Sequence, residues 1–274
     1  MSRRYSVAHL TWLPWTPPEL IYNAHIIGYD CVSLRTISQG LPGEINHDIS
    51  CNNELFKLTQ QALRDTGMTI NDIELVKIDE NTNDITKFEP HLEAAAKLGI
   101  RNVNTNIWTD NKDFYTEKFA ELCDFAASYN MMVNLEFVTW AAVNDLNAAI
   151  KLINNVKKEN ALILLDTLHF YRSKVTLEEL RSCPKKLFKT VHICDASKAI
   201  PMDKESLVHT ARAERLYVGE GAIDIASIIG CLNDNVILCL ELPHVERVKT
   251  LGAMEHVHRS LKTAKQYFIC HGIC

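Results

Sequence analysis

The chain has no excess of basic charge: 29 Lys and Arg face 34 Asp and Glu, for a formal net charge of −5. Nucleic-acid binders usually carry a basic balance or a basic stripe, so no nucleic-acid partner is expected. The short clusters Arg3-Arg4, Lys157-Lys158 and Lys185-Lys186 read as solvated helix ends or a terminus. No apolar run approaches the length of a membrane span, which argues against a membrane partner. The nine cysteines include no Cys-x-x-Cys pair, and several, such as Cys194 and Cys239, sit inside apolar runs. Buried reduced thiols are the expected state. With no long apolar segment near the start, they point to a soluble cytoplasmic protein. No Gly-x-Gly-x-x-Gly follows the first apolar run, which weakens a dinucleotide-binding reading.

Hydrophobic residues make up 47% of the chain and charged residues 23%, which excludes wholesale disorder. Divided by eight, 274 residues give about 34, the size of one strand–helix crossover unit. Short apolar runs alternate with longer amphipathic ones from end to end. Strands are expected over 5–12, 30–36, 73–79, 101–108, 131–138, 161–165, 188–194 and 236–242. Helices are expected over 16–28, 52–65, 85–98, 113–129, 145–158, after Thr176, over 225–232 and over 245–268. A long loop separates the seventh strand from the helix near Ile225. Proline in the first turn and glycine after the last fit the first helix, and Thr176-Leu177-Glu178-Glu179 is a capping-box pattern. With no evident linker, strict alternation predicts an α/β fold, a single (β/α)8 TIM barrel over 1–274, with a doubly wound open sheet as competitor. The last helix could pack a homo-oligomer or merely close the barrel.

In such barrels the active site lies at the C-terminal ends of the strands. Strand five ends at Glu136, strand six at Asp166, strand seven carries His192, and strand eight ends at Glu241. Side chains alternate across a strand, so each of these opposes an apolar face: Val133 and Leu135, Ile163 and Leu165, Val191 and Ile193, Leu238 and Leu240. The four polar groups would then face the barrel axis. Buried carboxylates cost several kcal/mol unless paired or metal-bound, so three acids and an imidazole converging there call for a cation. An oxygen-rich set with one imidazole suits one divalent metal ion, Mn²⁺, Mg²⁺ or Co²⁺ ahead of Zn²⁺. The alternative is four unrelated polar residues at strand tips.

The segments LEF at 135–137, LLDTLHF at 164–170, VHICDA at 191–196, VGEGAID at 218–224 and LELP at 240–243, with FEPHLEAAAKLGIRNVN at 88–104, resemble the sugar phosphate isomerase/epimerase family of the xylose isomerase-like TIM barrel superfamily. The likeness runs through essentially the whole chain in order. It implies that Glu136, Asp166, His192 and Glu241 are single-metal ligands. It further implies that Glu136 and Glu241 exchange protons with a carbohydrate or keto-polyol substrate from opposite sides. His169 matches the family's Asp-x-x-His and would touch substrate. Arg215 resembles the arginine that reaches substrate from the loop after strand seven.

Other candidates rest on residue type alone. Arg172 could bind a phosphate or carboxylate. Asn106 and Trp108, which close strand four with Asn104, could face a sugar or fill the barrel. Trp12, Trp15 and Trp140 could wall a sugar site or pack its rim. Gly219-Glu220-Gly221 could hold an anion or form a tight turn. Endonuclease IV belongs to the same superfamily, but the extra histidines of its three-metal site are missing here. Strand three ends Ile78-Asp79-Glu80, strand four ends Asn106-Ile107-Trp108, and no Asp-x-His lies between 193 and 220. The expectation is therefore a metal-dependent isomerase or epimerase. A dehydratase or lyase on a keto-polyol or dehydroshikimate-like acid is the main rival, and a non-catalytic barrel the lesser one. Phe137-Val138-Thr139-Trp140 departs from the stretch that family members of known substrate often carry there.

Overall fold

The computed structural model describes residues 3–39 and 44–273. Eight parallel strands close into a barrel in sequence order: β1 Tyr5–Ala8, β2 Cys31–Arg35, β3 Thr69–Ile78, β4 Asn102–Ile107, β5 Met132–Glu136, β6 Ala161–Asp166, β7 Phe188–Ile193 and β8 Ile237–Leu240. β1 closes the ring on β8, with Tyr5 opposite Leu238 and Val7 opposite Leu240. The expected (β/α)8 architecture is therefore observed. Helices cover the outside and bury the apolar parity of the strands; Val133, Leu135, Leu165, Val191, Ile193, Leu238 and Leu240 are all solvent-inaccessible. Among the described residues, no helix is long and apolar enough to cross a membrane.

Local signals behave as the chemistry dictates. Thr16 and Glu19 form a capping box over helix Pro17–Ile27, which ends at Gly28 with φ of 97°. Thr176 and Glu179 do the same for helix Leu177–Ser182. Helix Ala253–Cys270 buries Val257, Leu261, Ala264 and Phe268 against the barrel, and Tyr29 donates to the Val257 carbonyl at 3.0 Å. Its apolar face thus closes the barrel.

Several boundaries differ from expectation. β1 stops at Ala8, and His9–Trp12 is a 3-10 turn. Thr11 is the cause: its hydroxyl donates to the Leu240 carbonyl at 2.9 Å and accepts from the Leu242 amide at 3.1 Å. Residues 85–98 form a 3-10 turn, Ile85–Phe88, followed by helix Glu89–Lys97 with Pro90 in its first turn. The last helix breaks at Gly252, which separates Val245–Leu251 from Ala253–Cys270. The segment after β7 contains helix Lys204–Ala213 where a loop was expected. A further short helix, Thr167–Arg172, follows β6 at once, capped by Asp166 itself, whose Oδ1 accepts from the Leu168 amide at 2.7 Å.

β3 starts at Thr69, four residues before the apolar run that announces it. Its pairing slips twice. Val32 and Ser33 face Ile70 and Asp72, skipping Asn71, and Ile73 and Val76 face Val103 and Thr105. Asn71 and Asp72 turn into the lumen instead of alternating. There Asp72 accepts from Ser33 at 3.0 Å and from Asn104 at 3.0 Å, and Asn134 donates to Asn104 at 2.9 Å. This layer of paired polar groups fills the barrel beneath the strand ends. Burial, with Glu74 adding to it, pushes the Asp72 carboxyl up to about 7.

Candidate metal centre

Register carries the four strand-end groups to one place. Asp166 pairs with His192 across β6–β7, and His192 with Cys239 across β7–β8, which sets Glu241 one inward step above. Glu136 sits opposite Leu164, one inward step below Asp166. One ligand atom from each of Glu136, Asp166, His192 and Glu241 lies within 4.8 Å of all the others. Asp166, His192 and Glu241 are buried, and Glu136 is half-buried at the cavity wall. His192 Nδ1 is 3.4 Å from Glu241 Oε2 and 3.9 Å from Glu136 Oε1.

The donor set fits a divalent cation. Both ring nitrogens of His192 are buried without a hydrogen bond, which is costly for a polar group unless something else engages it. Three carboxylates are crowded around it. Burial opposes charge on His192, but Glu241 and the neighbouring Cys239 overcome this and hold its pKa well above the usual imidazole value.

The two glutamates are poised differently. Burial first, and Glu241 second, push the Glu136 carboxyl up to about 8. Burial acts on Glu241 in the same sense, yet Arg215 and His192 outweigh it and keep that carboxyl well below the usual range. Arg215 is fully enclosed. Its guanidinium donates to Asp166 Oδ2 at 2.7 Å and lies 2.9 Å from Glu241 Oε2, while Nε donates to the Ala211 carbonyl at 2.8 Å. Arg215 thus orients two of the four ligands besides lining the cavity.

Above this floor lies a cavity of about 200 Å³, open to solvent and walled by Trp108, Trp140, Asn106, His169, Lys77 and Arg35 among others. His169 packs edge-on against Trp140, with ring centroids 5.0 Å apart. Its Nδ1 accepts from the Thr139 amide at 3.4 Å, and burial lowers its pKa to about 4, so it is neutral in the wall. The Trp108 indole donates to Asn106.

Four sequence candidates lie elsewhere. Arg172 donates to the Leu207 carbonyl at 3.0 Å and to Thr210 Oγ1 at 2.6 Å, fastening helix Lys204–Ala213 instead of lining the cavity. Trp12 and Trp15 pack against the core. The Gly219-Glu220-Gly221 turn spends its amides on Asp195: Gly219 and Gly221 donate to Oδ2 at 3.1 and 2.8 Å. It is a tethered turn with no amides left for an anion.

Sequence reasoning missed Arg35, Glu74, Lys77 and Arg212. Arg35, Lys77 and Arg212 line the cavity; Glu74 lies behind His192, its Oε1 3.8 Å from His192 Nε2. The two register slips in β3 hide the inward positions of Glu74 and Lys77 from any parity argument.

The chain is similar to the inosose isomerase of Bacillus subtilis (strain 168), with 26% identity over 192 residues covering 65% of this chain and 66% of that protein. It thus spans about two thirds of the length of that curated relative. Its fold superposes on the crystal structure of an IolI protein with a bound zinc atom at a TM-score of 0.80, with 21% identity and 96% and 97% of the two chains covered. It also superposes on a probable 3-DHS dehydratase, AsbF, of Bacillus anthracis at a TM-score of 0.75, with 17% identity and coverage of 96% and 98%. The model of the xylose isomerase-like TIM barrel family matches residues 21–264, and the chain belongs to that family.

Proposed function

We propose that this protein is a divalent-metal-dependent isomerase or epimerase acting on a small ketose or keto-polyol, with Glu136 and Glu241 exchanging the substrate proton. The observation that carries this reading is the convergence of Glu136, Asp166, His192 and Glu241 within 4.8 Å of one another at the floor of a cavity. Those four residues would hold the cation. When bound, it supplies Lewis acidity that stabilises negative charge developing on a substrate carbonyl oxygen.

The remaining work falls to the chain's own groups. One of the two glutamates, Glu136 and Glu241, takes a proton from the carbon beside the carbonyl, and the other returns one at the same or the neighbouring carbon. Trp108 and Trp140 offer flat walls to the C–H faces of a sugar, and Asn106 and neutral His169 offer hydrogen bonds to its hydroxyls. The inosose isomerase relative supports a cyclic keto-polyol as the first substrate to try.

A dehydratase acting on an acid is the second reading. It is favoured by the cations Arg35, Lys77 and Arg212 along the same cavity, which would suit a substrate carboxylate. Incubation with ketoses, inososes and a dehydroshikimate-like acid in D₂O, with Mn²⁺, Co²⁺ or Zn²⁺ added, tests both. Metal-dependent exchange of a carbon-bound proton with retention of all hydroxyls supports the isomerase. Loss of a β-hydroxyl moves the assignment to the dehydratase. If no substrate exchanges and no ion binds, the metal-centre reading falls.

A further inference from the structure

We infer that Glu74 is the outer partner of His192: it accepts a hydrogen bond from the Nε2–H and so commits Nδ1 to the metal centre. The inference rests on the metal-centre reading given above. His192 lies between two groups of carboxylates. Its Nδ1 faces Glu241 Oε2 at 3.4 Å and Glu136 Oε1 at 3.9 Å, and its Nε2 faces Glu74 Oε1 at 3.8 Å. The Glu74 side chain is 3% exposed, and its Oε1 and both imidazole nitrogens are buried without hydrogen-bond partners. Two orphaned polar atoms that face one another inside a protein are a pair waiting for its proton to be assigned.

Chemistry assigns it. A neutral imidazole coordinates through one nitrogen and carries its proton on the other. Nδ1 is the nitrogen turned toward the other ligands, so the proton belongs on Nε2 and points at Glu74. The carboxylate is already aimed, since Arg35 holds Oε2 at 3.2 Å and leaves Oε1 directed at the ring. A shift of about 0.9 Å brings 3.8 Å to the ordinary N–H···O distance of about 2.9 Å. Cys239, beside His192 on β8, directs its sulfur to Ser33 at 3.5 Å and also touches the His192 ring, which makes it the competitor to be tested against Glu74. A carboxylate behind a ligating histidine fixes its tautomer and raises its basicity. Glu74 is thus a positioning residue, contributed by a strand that supplies no ligand of its own.

The test is direct binding of Zn²⁺ and Co²⁺, without substrate, to wild type and to Glu74→Gln, Glu74→Ala and Cys239→Ala. It is joined by ¹⁵N NMR of the histidine rings in the zinc-loaded wild type. Expected are dissociation constants about 10- to 100-fold weaker for Glu74→Ala, with Glu74→Gln between it and wild type. Cys239→Ala should stay within about threefold of wild type, and the His192 proton should reside on Nε2. The inference is overturned if Glu74→Gln and Glu74→Ala bind as wild type does, if Cys239→Ala weakens binding as much as they do, or if zinc-loaded His192 carries its proton on Nδ1. The NMR arm needs no variant, so misfolding of Glu74→Ala does not rescue the idea. If wild type itself binds neither ion, the metal-centre reading fails and takes this one with it; if wild type binds and the variants match it, only Glu74's role is lost.

Discussion

The two halves of the barrel serve the cavity in different ways. β5 to β8 deliver one acid or imidazole each at the strand ends, and these meet above the lumen. β1 to β4 deliver support: a hydrogen-bonded polar layer around Asp72, and the Arg35–Glu74 pair at 3.2 Å. His192 in one half has both ring nitrogens without a partner, whereas Asp72 in the other is paired with Ser33 and Asn104. Reactive groups need a partner to come, whereas scaffolding groups must already have theirs.

Substitutions in the two halves should therefore fail differently. The largest effect is expected for Glu241→Gln, which should lower metal-dependent proton exchange by about 10²- to 10⁴-fold while the protein stays folded. Full exchange in that variant would remove Glu241 from proton transfer. Next is the cation itself. Metal at one hundred times its dissociation constant should stabilise the fold by about 2.7 kcal/mol, read as a rise in melting temperature. His192→Ala should abolish that rise.

Asp72→Asn, in the supporting half, should do the reverse. Its amide turns a donor toward donors, so a stability loss of about 1–3 kcal/mol in urea titrations is expected, with zinc affinity nearly unchanged. If Asp72→Asn instead leaves stability intact and destroys metal binding, the division of labour between the halves is wrong.

The smallest effect lies outside both. His256 Nε2 donates to the Leu242 carbonyl at 2.8 Å and Nδ1 accepts from Tyr217 at 2.9 Å, and burial lowers its pKa to about 4. An unfolded histidine protonates near 6.5, so between about 6.5 and 4 the unfolded chain binds the extra proton. Stability should fall as pH drops through that window and be free of this contribution above it. His256→Gln should flatten the slope measured by urea titration at pH 7 and pH 5; an unchanged slope would mean that His256 is not the group responsible.

What could be read from the residues follows the same division. β5 to β8 alternate their side chains through the strand ends, so parity alone turned Glu136, Asp166, His192 and Glu241 inward, despite one register shift between Ile163 and Leu165. β3 does not: its first residues, Thr69 to Asp72, are largely polar because they fill a lumen, and its slips shift Glu74 and Lys77 out of step. Helix Lys204–Ala213 escaped notice because it buries only Ala211 and so has no apolar stripe. Helix Thr167–Arg172 has six residues, too few for a period to show. Arg215 was legible as a site residue, but its grip on Asp166 and Glu241 depends on a fold-back between the last two strands that no local pattern encodes.

That fold-back has a narrow neck. Asp195 and Leu216 exchange both backbone hydrogen bonds at 2.9 Å, and the Asp195 carboxylate also takes amides from Ala196, Gly219, Gly221 and Ile223. A side chain at Gly221 would collide with the Ala196 carbonyl and Asp195, so the joint tolerates nothing larger. The ends of the excursion over the cavity are thus soldered together at the barrel, whatever lies between them. Because closure entropy grows only slowly with loop length, the stretch just beyond the neck can change in length at small cost to the barrel. The limit is Ala211, whose carbonyl holds Arg215 against Asp166 and Glu241, so a segment of different length spliced between Ala196 and Lys204 would alter what covers the cavity and leave that grip in place.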